Sequence, residues 1–174
     1  MGELHQPVSP MATTIGHGRI AIAALAFLIG VAILTEPAAV ADNKRLNDSV
    51  VQDVYTLHRQ DGCAGGVKID KRLQLAAQWH SDDVLNNRAL EGDVGSDGST
   101  PQDRAAAAGY RGKVSETVAV NPAMAISGIE LINMWYYNPD YLAIMRNCAN
   151  TDMGVWSENQ LDRTVVVAVY GQPV

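Results

Sequence analysis

The chain lacks the short sequences that announce most hydrolases and nucleotide enzymes. It contains no G-x-S-x-G, no H-E-x-x-H, no P-loop and no dinucleotide fingerprint. That removes the motif-borne nucleophile elbow, zinc-protease centre and phosphate cradle, and with them any cofactor announced by sequence. Basic residues are few and scattered, 13 Lys and Arg against 19 Asp and Glu for a net charge of −6. Without a basic cluster there is no electrostatic footprint for nucleic acid or for an anionic membrane surface. Low-complexity tracts and internal repeats are missing too, which excludes a repeat array.

A long membrane-spanning run is also missing. The longest apolar stretch, Ile20 to Leu34, has fifteen residues and rises only about 22 Å as a helix, short of a hydrocarbon core of about 30 Å. Arg19 precedes it, Pro37 follows it, and Ala39-Val40-Ala41 supplies small residues. A basic residue, a short apolar run and an A-x-A end are the parts of a secretory signal, so cleavage is expected after Ala41. Met11 is a second possible start, because Met11 to Arg19 reads as an ordinary n-region. The alternative for the same stretch is an uncleaved signal anchor. Residues 42–174 are then one domain, long enough for one core, with no stable transmembrane anchor after cleavage.

Both cysteines, Cys63 and Cys148, lie in that domain. An even count in an exported chain points to a disulfide. Closing a loop of about 85 residues is worth about 4 kcal/mol in the chain-entropy model. A two-cysteine metal site is the competing reading, and only His58 and His80 remain in the domain to complete it.

Along the domain, Leu46, Val50, Val54 and Leu57 recur at helical spacing and predict a helix from about Lys44 to Arg59. A second helix starts at Asp70 as N-cap and presents Leu73, Ala76, Ala77, His80, Val84 and Leu85 on one face. The Gly-rich loop Glu91 to Thr100 leads into Thr100-Pro101-Gln102-Asp103, which reads as N-cap, proline at N1 and acid at N3. A short third helix, Gln102 to Ala108, ends there at Gly109. Val114 to Val120 alternates as a strand does, and Ala123 to Tyr137 reads as a fourth helix. A further turn, Asp140 to Met145, precedes two strand-like runs, Met153 to Ser157 and Thr164 to Tyr170, joined by a hairpin at Asp162-Arg163. Helices first and strands late predict an α+β layered domain around an antiparallel sheet. Trp79, Trp135 and Trp156 are expected in the core, His80 as a hydrogen-bonded core histidine, and His58 near a helix C-terminus.

Six segments in this order resemble the CAP superfamily in its bacterial sperm-coating-protein-like branch. They are Asp93-Val94-Gly95-Ser96-Asp97-Gly98-Ser99-Thr100-Pro101-Gln102-Asp103-Arg104, Ala107-Ala108-Gly109-Tyr110, Ser115-Glu116-Thr117-Val118-Ala119, Trp135 to Leu142, Met153-Gly154-Val155-Trp156 and Tyr170-Gly171-Gln172-Pro173. The resemblance spans residues 46–173 and implies an α-β-α sandwich with a central, mainly antiparallel sheet, a secreted life and an open cleft. In many members that cleft holds a divalent metal between two histidines and acidic residues. Here the loop histidine is Asp93 and the one after the Pro139 turn is Tyr141, while Glu116 stands where the family has its glutamate.

One carboxylate, Asp93 and a phenol make a poor zinc site, so no metal, cofactor or catalytic residue is assigned. The expected ligand-binding cleft is Asp93, Glu116 and Tyr141, with the Glu116 carboxylate accepting from nearby backbone or from Tyr141. Asp97 and Asp103 read as turn and helix-start residues. The expected function is a non-enzymatic extracellular binding module for a lipid or sterol-like ligand, an envelope component or a protein partner. The alternatives are a metal-dependent envelope hydrolase, with Glu116 as general base and Asp93 as ligand, and a purely structural envelope protein. Alkylation of the secreted protein after unfolding is expected to find no reactive thiol; labelled Cys63 or Cys148 would refute their bridge.

Overall fold

In a computed structural model of the chain, residues 38–174 are described. Most of the expected signal sequence therefore lies outside the described residues. The first helix, α1 (Ala38–Gln60), begins one turn and more ahead of Lys44, so the expected cleavage point after Ala41 falls in its opening turn.

After α1 come β1 (Lys68–Ile69), α2 (Lys71–Asn86), α3 (Pro101–Ala107), β2 (Gly112–Asn121), α4 (Gly128–Tyr136), α5 (Pro139–Arg146), β3 (Asp152–Gln160) and β4 (Arg163–Pro173). The strands form one sheet in the order β1-β3-β4-β2. The β2–β4 and β3–β4 pairs are antiparallel, while the two-residue β1, which the alternation did not reveal, runs parallel to β3. The hairpin closes on Leu161-Asp162, one residue earlier than expected, because Gln160 pairs with Arg163.

Strand β4 organises the layers. It is interior in the sheet and buried along nearly its whole length, which is why Thr164 to Tyr170 reads as an almost unbroken apolar run. Successive side chains face opposite layers. Val165, Val167 and Val169 join Leu73, Ala76, Ala77 and Val84 of α2 and Ala105 of α3. Val166, Ala168 and Tyr170 join Val50 and Val54 of α1, Leu131 and Trp135 of α4 and Met145 of α5. Two helical layers around a sheet make the α-β-α sandwich.

The caps explain the helix boundaries. Asp70 accepts from the amides of Arg72 and Leu73, and Thr100 and Asp103 form a reciprocal capping box. Helix α4 starts five residues later than the expected Ala123, because Ser127 and Glu130 form a second capping box. The segment before it is held as a loop: Thr164 donates to the Ala123 carbonyl, Asn159 to Met124 and Asn121 to Ala125. Asn138 caps α5 through the amides of Asp140 and Tyr141, with Pro139 at the first position.

Cys63 and Cys148 form a disulfide with their Cα atoms 5.3 Å apart. It ties the loop after α1 to the segment after α5, and the exposed Arg146–Asp61 ion pair lies beside it in sequence at both ends. His58 is buried in the last turn of α1. Trp135 is buried and Trp156 packs partly buried on the α2 side, but Trp79 is not a core residue, being 41% exposed. It sits about 100° round α2 from His80, off the packed stripe.

Layer spacing is set at Gly154, where α2 crosses β3. A methyl group at this glycine would overlap the backbone of Leu73 and Gln74, and backbone cannot rotate away. Gly154→Ala is expected to destabilise the domain by about 3 kcal/mol or more, measured as a drop in the urea midpoint against wild type. A midpoint within error of wild type would show that α2 lifts off freely.

Candidate functional site

Even-numbered residues of β2 face the α2–α3 layer, as Val118 does in the core, so the pleat carries the Glu116 side chain under those two helices. There it meets a charged and a polar partner. Arg104 of α3 donates from Nη2 to Glu116 Oε1 at 2.9 Å and to the Asp93 carbonyl at 2.7 Å. Its Nη1 donates to the Ser99 carbonyl at 2.8 Å and to Ser99 Oγ at 3.2 Å. One guanidinium therefore fastens both ends of the Gly-rich loop to the acid on the sheet. The reach follows from the capping box at Thr100, which starts α3 where its first turn can aim Arg104 back at the loop.

His80 of α2 is the second neighbour. Its Nε2 lies 2.9 Å from the Gly92 carbonyl and 3.5 Å from Glu116 Oε1. A carbonyl only accepts, so Nε2 carries the proton and donates to Gly92. Burial holds the His80 pKa below its ordinary value, outweighing the Gly92 hydrogen bond, and the positive charge of Arg104 adds to the fall. The ring is neutral near pH 7, and the hydrogen-bonded partner of Glu116 is Arg104. Both partners are essentially buried, as is Glu116 itself. Burial pushes the Glu116 carboxyl up to about 8 against the pull of Arg104, and the Asp93 charge adds to the push. Glu116 Oε2, Arg104 Nε and His80 Nδ1 are buried with no hydrogen-bond partner.

The three residues read from sequence as a cleft are placed as follows. Asp93 is exposed on the loop; its carbonyl holds Arg104, and its charge acts on Glu116, His80 and Tyr141. Tyr141 is half-buried in the first turn of α5, against the core on the α1 side. Burial raises its pKa, the Val118 backbone opposes, and the charges of Asp93 and Glu116 add to the rise. No hydrogen bond joins Tyr141 to Glu116 among the described residues. The partner expected for Glu116, backbone or Tyr141, is instead Arg104. His80 is the hydrogen-bonded core histidine the pattern of α2 suggested, and its contact with Glu116 makes it part of the site as well. Arg104 stood in the sequence as the last residue of the Gly-Ser-Asp-Gly-Ser loop motif, and only the fold shows what it holds.

The donor set does not suit a divalent metal. Glu116 Oε1 already accepts from a guanidinium, a fixed positive charge that would oppose a second cation, and His80 Nε2 is a donor. Among the described residues no group of three His, Cys, Asp or Glu side chains converges. Carboxylates of α2, the Gly-rich loop and α3 are engaged locally: Asp83 accepts from Ser96, Asp97 from Ser99 and Asp103 from Thr100. Beside the site, a cavity of about 590 Å³ runs along the outer edge of β2, lined by Val118, Val120, Trp135, Tyr141, Arg88 and Arg163 among others. Tyr141 lines it; Glu116 and Asp93 do not.

No family model and no curated protein matches this sequence. Solved structures do. An outer surface protein of Borrelia burgdorferi superposes with a TM-score of 0.65 at 16% identity, over 75% of this chain and 95% of that one. An extracellular Bacillus anthracis protein containing an SCP domain gives a TM-score of 0.65 at 13% identity, over 75% of this chain and 41% of its own length. A cysteine-rich secretory protein of Staphylococcus aureus gives 0.55 at 13% identity, over 76% and 40%. This chain thus spans about two-fifths of the latter two. The chain shares the fold of these outer-surface, SCP-domain and cysteine-rich secretory structures.

The buried acid and histidine give stability opposite slopes. Glu116 has a folded pKa above its unfolded value, so its contribution is complete below about pH 4.5 and is lost as pH rises towards about 8. The His80 pKa is depressed, so its contribution is present above about 6.5 and is lost as pH falls. From pH 6.5 to 8 only the Glu116 loss operates. Wild type is expected to lose stability across that window in urea titrations, and Glu116→Gln to flatten the loss; equal slopes would refute a protonated Glu116. Arg104→Ala, which leaves Glu116 Oε1 and the Asp93 and Ser99 carbonyls without their donor, is expected to cost about 3 kcal/mol, read as a drop in the urea midpoint.

Proposed function

We propose that this chain is an exported CAP-fold binding module that holds a lipid, sterol-like or other envelope ligand rather than turning one over. The observation that carries the reading is the engagement of the site's two acid–base groups. Glu116 is tied to Arg104, His80 is tied to the Gly92 carbonyl, and both bonds anchor the Gly-rich loop. Groups spent on architecture beside a cavity lined in part by Val118, Val120, Pro122, Met134 and Trp135 describe a receptor better than a reaction centre. The ligand lies in the cavity along β2, with Tyr141 on its wall.

Export is supported by three things. The short apolar run Ile20 to Leu34 ends in small residues. The Cys63–Cys148 bridge belongs to an oxidising compartment. The structural neighbours are described as outer-surface, extracellular and secretory proteins. Among the described residues no helix is long and apolar enough to cross a membrane. Cleavage after Ala41 leaves α1 to begin near Asp42.

Native mass spectrometry of the protein purified from its own envelope is expected to show a copurifying small ligand. Tyr141→Ala should lose it and Tyr141→Phe retain it. A protein that emerges bare and binds no member of a panel of phospholipids, fatty acids and sterols overturns the reading.

A further inference from the structure

The lining of the β2 cavity includes a buried cation that forms no ion pair among the described residues. Arg163, the first residue of β4, is 8% exposed and lines the cavity. Its Nη2 donates to the Leu90 carbonyl at 3.2 Å, and its Nε is buried with no partner. None of the ion pairs among the described residues includes it. The neighbouring acid is already taken: both oxygens of Asp162 accept from Arg88 Nη2 at 2.9 Å. Glu91, the other acid on the cavity wall, is exposed at the rim, where water screens it.

A guanidinium withdrawn from water with no counter-charge is a costly arrangement, and a bound anion would offset it. Of the five N–H donors on the group, one is spent on Leu90. Nε is buried out of a guest's reach, and the remaining Nη1 and Nη2 protons leave the end of the planar group for a carboxylate. The charge count limits the guest. Arg163 offers one positive charge outside any ion pair, while Arg88 on the same lining is spent on Asp162. Val118, Val120, Pro122, Met134 and Trp135 give the cavity an apolar portion beside its polar lining of Asn138, Tyr141 and charged side chains. A volume of about 590 Å³ suits a compact organic molecule.

We infer that the β2 cavity receives a small monocarboxylate with an apolar body, its carboxylate on Arg163 and its body against Trp135 and Met134. This rests on the cavity being the binding site proposed above, and it adds the head group that the site selects. A phosphate monoester, with close to two charges, exceeds the single charge Arg163 offers and is the poorer match.

The test is calorimetric titration of the disulfide-bonded protein with benzoate and hexanoate, with their neutral amides, and with inorganic phosphate. Each acid is expected to bind at least tenfold more tightly than its amide, and phosphate to bind at least tenfold more weakly than benzoate. Arg163→Met should abolish the acid preference while keeping or raising the melting temperature, since it removes an unpaired buried charge. Arg163→Lys should retain part of the preference, as charge without the fork. Amides binding as well as acids would overturn the role of Arg163 and leave the cavity reading standing. No binding of acid or amide would overturn both. Phosphate binding as tightly as benzoate would overturn the carboxylate class. If Arg163→Met does not fold, the ratio of acid to amide on the wild-type protein decides the matter.

Discussion

The organisation of this domain around its site depends on one guanidinium. Arg104 reaches from the first turns of a seven-residue helix to the loop that precedes it and to the acid on β2. A loop of Gly, Ser and Asp has little apolar surface to bury, and its backbone polar groups must be satisfied one by one. Arg104 takes the carbonyls of Asp93 and Ser99, and His80 takes that of Gly92. Glu116 supplies a buried acceptor for the same guanidinium. Remove any one of the three and another is left stranded in a low-dielectric interior.

The same arrangement accounts for the acid–base character of the site. Burial alone would drive Glu116 to its neutral form, and the charge on Arg104 opposes that without cancelling it. His80 responds to the same burial in the opposite sense, losing its proton more readily. Two titratable groups in contact are thereby both biased to neutrality near pH 7. That suits a packed floor beneath a binding surface, because neither group presents a full exposed charge to an apolar guest.

Much of the fold was legible in the sequence because it follows from local rules. Asp70 and the Thr100–Asp103 box begin helices where caps are expected, and Gly109 ends one at a positive φ of 86°. The buried run at Thr164 marks the interior strand. Errors arose where local signals competed or were too short. Ala123 to Ala125 extends the apolar pattern of α4 backwards, yet the capping box at Ser127–Glu130 and three side chains reaching in from elsewhere hold that stretch as loop. A two-residue strand such as β1 has too few positions to alternate. The site was legible only in part. Glu116 could be singled out by its place in a motif, but its pairing with Arg104 crosses from a strand to a helix, and no periodicity reports a contact of that kind. Arg163 reads as an ordinary turn residue, and only its burial beside a cavity sets it apart.

One feature of the sheet bears on how this protein behaves beside other copies of itself. An open sheet ends in strands whose outward amides and carbonyls invite a further strand to add. Here one terminal strand, β1, is only two residues long. The other, β2, is ten residues long, but its outward Val118 carbonyl accepts from the Trp135 indole at 3.1 Å, and Tyr141 stands against the same residue. The helices of one layer thus reach around and plug the long edge at its middle. What remains there is a pocket bounded by side chains, wide enough for a small guest and closed to a continuous run of backbone pairing. The device that shapes the binding cavity also keeps the chain from templating its own aggregation.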